Sequence, residues 1–225
     1  MNGSRFEYCH FLYGGQSTYS STLTVYGANI SVKNCVFAHN SGDDATGWYG
    51  ALDMIYGETG CVVQNCVFYD NIRPLSISTN FSIDNSNIFH NPDNNSETNT
   101  YNGIFVNTYD YDFTSSRSWE ETEVPFIIDN NDWWIYSGAV LQLAQNVILK
   151  FKQDATIVLG DGTSNIQNYN AGGVYFTSYK DDAHGGDTNG DGNMTTPGNG
   201  DWGGIYNNVT DNYENWANII YDDIH

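Results

Sequence analysis

Basic residues are scarce in this sequence. Seven Lys and Arg stand against 27 Asp and Glu, leaving a net charge of −20, and such a surface repels phosphate backbones and anionic lipid headgroups. Nucleic acid is therefore excluded as a partner. Cations are attracted, neutral sugars are tolerated, and acidic polysaccharides would need a bridging metal. Long apolar runs are missing as well: nothing approaches the roughly 18 residues that cross a bilayer as a helix, so no membrane span is expected. The opening MNGSRFEYCHF lacks the charged-then-apolar order of a secretory leader, and the chain is expected to be a piece of a longer protein whose export signal lies elsewhere. The 4 cysteines include Cys61 and Cys66, but no paired Cys/His set follows at zinc-ligand spacing. What is present is a 40% hydrophobic content over 225 residues, ample for a core. The abundance of Asn, Asp, Gly, Ser, Thr and Tyr points to an extracellular or cell-surface β protein.

Three segments repeat: ISVKNCVFAHN from Ile30, CVVQNCVFYDN from Cys61 and FSIDNSNIFHN from Phe81, with a degenerate copy, SRFEYCHFLYG, from Ser4. Spacings of roughly 20 to 30 residues are those of solenoid coils. Within a copy the apolar residues alternate, slip by one at Asn34, and alternate again at Cys35 and Phe37. Period-two alternation is strand behaviour, so the slip marks a corner, where Asn tolerates left-handed backbone. Stacked at about 4.8 Å, the copies predict inward columns Phe6/Val32/Val63/Ile83, Phe11/Phe37/Phe68/Ile88 and Cys9/Cys35/Cys66/Ser86, the last a ladder of reduced thiols. Corners are expected as Asn34/Asn65/Asn85 and Asn40/Asn71/Asn91, and a third strand per coil in STLTV, GALDM, PLSIS and GIFVN. The implied fold is all-β, a parallel β-helix.

The NCxFxxN copies, with YGALDM between two of them, resemble the FxxN and GGAI repeats of polymorphic outer-membrane and adhesin-like proteins, right-handed parallel β-helices of the pectate-lyase-like superfold. The resemblance covers roughly residues 4 to 107; Tyr49 stands where the first GGAI glycine would be. Residues 1–107 are thus read as β-helix coils and 108–123 as a polar linker or cap. Residues 124–225 are read as the start of a second β-helix unit, because the runs around Val140–Leu143 and Val147–Phe151 are similar to the opening coils of secreted bacterial β-helices. Whether the two units join into one helix stays open at this point.

The most loop-like stretch, GGDTNGDGNMTTPGNGDWGGI at 185–205, places Asp187, Asn189, Asp191 and Gly192 at positions 1, 3, 5 and 6 of an EF-hand-type loop. Asn193 and Thr195 would fill positions 7 and 9. Position 12 is Gly198, so a further carboxylate must come from Asp201, Asp181 or Asp182. Calcium is the expected cofactor, against the alternative of an Asx-rich turn. For catalysis, the superfold's polysaccharide-cleaving enzymes direct attention to Asp43, Asp44 and Asp53 near Trp48 and Tyr49, and to Arg73. Trp48, Tyr49 and Trp202 are candidate ligand-binding aromatics. His39, Asp70 and His90 fall at one position of successive coils, which a hydrogen-bonded corner column explains. The expected function is a calcium-stabilised adhesion or binding module whose partners are glycans or neighbouring surface proteins; the alternative is a polysaccharide lyase or glycoside hydrolase.

Overall fold

The structure is a computed structural model that describes residues 3–15, 20–42, 49–108, 113–129 and 131–224. Among these residues there is no helix, and nearly all strand pairing is parallel, building a β-solenoid of about six turns. Its backbone is a seven-stranded sheet of Leu23–Tyr26, Leu52–Tyr56, Leu75–Ser78, Ile104–Asn107, Phe126–Ile128, Ile148–Phe151 and Tyr175–Ser178. Leu23, Leu52, Leu75, Ile104, Phe126, Leu149 and Phe176 occupy one column of it. No single coil has two faces to bury, so each coil supplies one apolar row and the stack makes the core.

The sheet does not break between residues 107 and 124, because Ile104 pairs with Phe126 and Val106 with Ile128. Of the segment read as linker or cap, Arg117–Trp119 forms a strand paired with Val140–Leu143. Trp119 from that segment is fully buried between Phe126 and Trp133, with ring centroids at 4.4 and 5.3 Å. Where the repeats fade, Trp119 pairs with Ile83, so in that row a large ring follows a short aliphatic.

The predicted columns hold for the first copies. Phe6, Val32 and Val63 are in register, and Phe11, Phe37 and Phe68 stack at 4.6 and 5.1 Å. The third copy corrects the expected register by one residue. Phe89, not Ile88, continues the aromatic stack at 5.3 Å from Phe68, and Asn87, not Ser86, lies beyond the cysteines, its Oδ1 accepting the Cys66 N–H. All four cysteines are free.

The corners are also corrected. Asn34 and Asn65 adopt left-handed φ of 53° and 52°, as their role at a slip requires, and it is at the other corner that side-chain amides bond one another in a ladder. Asn40 Nδ2 donates to Asn71 Oδ1 at 2.7 Å and Asn71 Nδ2 to Asn99 Oδ1 at 2.8 Å. The Nδ2 groups of Asn40, Asn71 and Asn99 also donate to the carbonyls of Phe11, Phe37 and Phe68 respectively. Asn99 takes the place expected of Asn91 because an antiparallel hairpin, His90–Asn91 against Asn94–Thr98, is let out between the aromatic and the corner amide.

Candidate functional site

The Asp/Gly-rich stretch is the excursion between two strands, Tyr175–Ser178 and Gly204–Asn207, and it folds back over the outward side of the long sheet. There the outward column Phe105, Ile127, Lys150 and Thr177, which would face solvent on a bare solenoid, is buried. Two glycines permit the approach. Gly185 (φ 77°) and Gly190 (φ 69°) would each place a Cβ 3.0 Å from Pro125 and Tyr101 respectively. Lys150 Nζ rises from the sheet to donate to the Gly186 carbonyl at 2.5 Å and the Thr188 hydroxyl at 3.0 Å, and the Tyr179 hydroxyl donates to the Thr188 carbonyl. Burial pulls the Lys150 pKa down to about 8 despite the attraction of Asp181, Asp182 and Asp187.

Within the lobe, ligand oxygens of Asp182, Asp187 and Asp191 lie within 4.8 Å of one another. Asp187 accepts from the N–H groups of Gly190 and Gly192 at 2.7 and 2.8 Å. Asp191 accepts from Met194 and Thr195 N–H and from the Thr195 hydroxyl, whose hydrogen bond holds its carboxyl below the ordinary range. Asn189 bridges to Asp191 and Thr195, both at 3.1 Å, and Asn193 turns the chain with φ 70°. Asp182 stands apart chemically: its Oδ1 is buried and without a hydrogen-bond partner among the described residues, and desolvation, then the charge of Asp187, raises its pKa. Calcium binds oxygen at 2.3–2.6 Å, so ligands on one ion lie no more than about 5 Å apart; this all-oxygen set fits that limit.

Of the carboxylates considered for the missing position, only Asp182 belongs to the group. Asp201 is engaged elsewhere, by Lys180 Nζ at 2.6 Å, the Ser178 hydroxyl at 2.7 Å and the Gly198 N–H at 3.0 Å. Asp181 accepts from the Thr177 hydroxyl at 2.6 Å and is bonded to His184 Nδ1 at 2.7 Å. Trp202 is corrected from ligand-binding aromatic to core residue: it is buried flat on Phe151 at 4.0 Å, and its Nε1 donates to the Ile220 carbonyl. A tryptophan this close to the returning strand fills the coil.

The remaining candidates separate. Asp43, Asp44 and Trp48 lie outside the described residues, and Tyr49 is half-buried. Asp53 is 1% exposed on the outward face of the long sheet, paired in register with Ser76. Its Oδ1 accepts the Ile55 N–H, while its Oδ2 and the Ser76 hydroxyl have no hydrogen-bond partner among the described residues. Burial raises the Asp53 pKa to about 6. Arg73 is buried with its guanidinium 4.4 Å from the centre of the Tyr101 ring. His39 and Asp70 are adjacent, Nδ1 to Oδ2 at 2.5 Å, both with left-handed φ, and Tyr13 stacks on His39 at 5.0 Å. His90 instead bonds Glu123 at 2.6 Å, and Glu97 from the hairpin joins His39 and Asp70 in a second compact group.

Sequence reasoning missed Lys150, which reads as one more residue of an apolar strand; its partners lie more than thirty positions away. Also missed was an open cavity of about 470 Å³ walled by Tyr169, Tyr175, Trp216 and the amides of Asn170, Asn215 and Asn218. Its signal, two short Asn/aromatic runs flanking the excursion, is visible only once the last coil is closed by the Phe176–Ile219 bridge. No protein-family model, no curated protein and no solved structure matches the chain.

Proposed function

We propose that this β-solenoid is an extracellular, non-catalytic module of a larger surface or secreted protein, of the adhesin-like kind its repeats resemble. It presents loops to glycans or neighbouring proteins, and calcium steadies the 179–201 excursion. The observation that carries the calcium reading is the group of Asp182, Asp187 and Asp191, whose ligand oxygens meet within 4.8 Å. Asp182 brings an oxygen that no donor among the described residues satisfies. Lys150 already neutralises part of the charge under the lobe, and the bidentate position-12 Glu is replaced by Gly198. Affinity is therefore weak, on the order of 10⁻⁴ to 10⁻³ M as in other extracellular modules. At ten times Kd, calcium adds about 1.4 kcal/mol of stability. Calorimetry with millimolar calcium, and melting with and without chelator, test this; Asp187→Ala abolishes both responses. A titration without heat together with a melting point indifferent to chelator refutes the calcium reading.

One observation favours the second reading, a polysaccharide lyase or hydrolase: a carboxyl with pKa near 6 is suited to proton transfer around neutral pH, and Asp53 has one. It is sealed from solvent, as is Arg73, so a substrate has no route to it in this arrangement. Turnover on a polysaccharide panel, abolished by Asp53→Asn, would reverse the order of the two readings.

A further inference from the structure

We infer that the cavity beside the last closed coil is a neutral-sugar site, a pyranose seated on Trp216 with its hydroxyls read by asparagine amides; this rests on the reading of the chain as a glycan-binding module. Size is suitable first: about 470 Å³ falls inside the range of roughly 300 to 1,000 Å³ typical of small-ligand pockets. The lining decides the ligand class. In a chain of net charge −20, no Asp, Glu, Lys or Arg among the described residues lines this cavity; aromatic rings, amides and small residues do. A cationic ligand has stronger attractors elsewhere on the surface, and a phosphate, nucleotide or uronate meets overall repulsion without a compensating Arg or Lys. A neutral ring with one apolar face and several hydroxyls is the ligand for which such a lining is complementary.

The platform is held in advance. The Trp216 ring lies on Tyr169 at 3.8 Å and 22°, meets Phe176 edge-on at 5.7 Å, and is fixed in rotation by its Nε1 donating to Glu214 at 3.0 Å. Asn218 ties the two walls together, its Nδ2 donating to the carbonyls of Tyr169 at 2.6 Å and Val174 at 2.9 Å. Little ordering is left to be done on binding, which favours affinity. At the rim, Asn170 and Asn215 are exposed. An amide offers one acceptor and two donors, the pattern that adjacent hydroxyls of a sugar match and that a flat hydrocarbon does not.

The test uses the full chain and a panel of neutral probes, methyl glucoside, galactoside and mannoside with their β-linked disaccharides, followed by calorimetry and by saturation-transfer NMR. A glycan array that includes acidic sugars runs in parallel. Trp216→Ala is the direct variant; because Trp216 also packs on Phe176, Asn170→Ala and Asn215→Ala at the exposed rim serve where the first loses its fold. The expected result is binding of at least one neutral probe, weakened tenfold or more by Trp216→Ala and measurably by each rim variant. Neutral-sugar binding unchanged in all three variants overturns this site and leaves the glycan-binding reading standing, as does an array bound only at acidic sugars. An array without any bound glycan overturns both.

Discussion

Replacing Asn71 by Leu removes a buried amide at the middle of the corner ladder while keeping its bulk. One group loses the partner that the structure gives it, the Asn40 backbone N–H, which donates to Oδ1 at 3.2 Å; the Phe37 carbonyl loses Nδ2 at 2.9 Å but lies within the paired strands Val36–Ala38 and Val67–Tyr69. The other contacts degrade less, because Asn40 Nδ2 keeps the Phe11 carbonyl and Asn99 Oδ1 keeps the Asn71 backbone N–H. An orphaned buried group costs about 1–3 kcal/mol, so the substitution costs about 1–3 kcal/mol, a sizeable share of a stability of about 5–15 kcal/mol. The corner at Asn65 supplies the contrast. Its φ of 52° is what matters there, so Asn65→Gly is close to neutral, whereas Asn71→Gly costs about as much as Asn71→Leu. Urea unfolding of the parent and the three variants measures this, with hydrogen exchange at Asn40 and Phe68 reporting whether the loss is centred on the corner. A cost below about 1 kcal/mol at position 71, or a larger one at 65, refutes the ladder as a source of stability.

Phe68→Ala opens the middle of the four-ring stack and lowers unfolding free energy by about 3–5 kcal/mol; an unchanged urea midpoint contradicts the packing described. Glu121 is fully buried, its Oε1 accepting the N–H groups of Thr122 and Glu123 and its Oε2 without a hydrogen-bond partner among the described residues. Burial raises its pKa from 4.5 to about 7. Protonation is favoured in the folded state, so its contribution is most favourable below pH about 4.5 and is lost as pH rises to about 7, a change of about 3 kcal/mol if the whole shift is realised. Glu121→Gln is therefore more stable than the parent above pH 7, and the difference between the two shrinks as the pH falls to 5. A difference that does not vary with pH removes the assignment.

The solenoid was legible in the sequence because its determinants are local and recur. The alternation around Ile30 and Val32, its slip at Asn34 and its return at Phe37 are a strand, a corner and a strand in sequence order, and two further copies repeat them. The third copy misled because IFHN satisfies the FxxN spacing from Ile88 to Asn91, while the chain obeys a different constraint. Its ring, Phe89, has to meet Phe68, and its amide, Asn99, has to meet Asn71, with a hairpin of any suitable length between them. Trp202 was misplaced for a similar reason: it sits in glycine-rich surroundings that read as loop, but it is the residue at which the excursion re-enters the coil over Phe151. The acidic group was half legible. Asp187 and Asp191 follow from spacing, whereas the selection of Asp182 over Asp201 depends on Lys180 and Ser178 claiming the latter, contacts made across the fold of the loop.

The corner amides also say where this molecule accepts new sequence. Asn40, Asn71 and Asn99 each cap a carbonyl of a preceding coil and bond the next amide, and neither task depends on how many residues separate the amide from its own coil's aromatic ring. Three residues suffice from Phe37 to Asn40; a whole hairpin is hosted between Phe89 and Asn99 without disturbing the stack on either side. That corner is a graft point: a foreign peptide inserted between Ala38 and Asn40, or between Tyr69 and Asn71, is displayed at the solenoid surface while the rings beneath it and the amide beyond it keep their places.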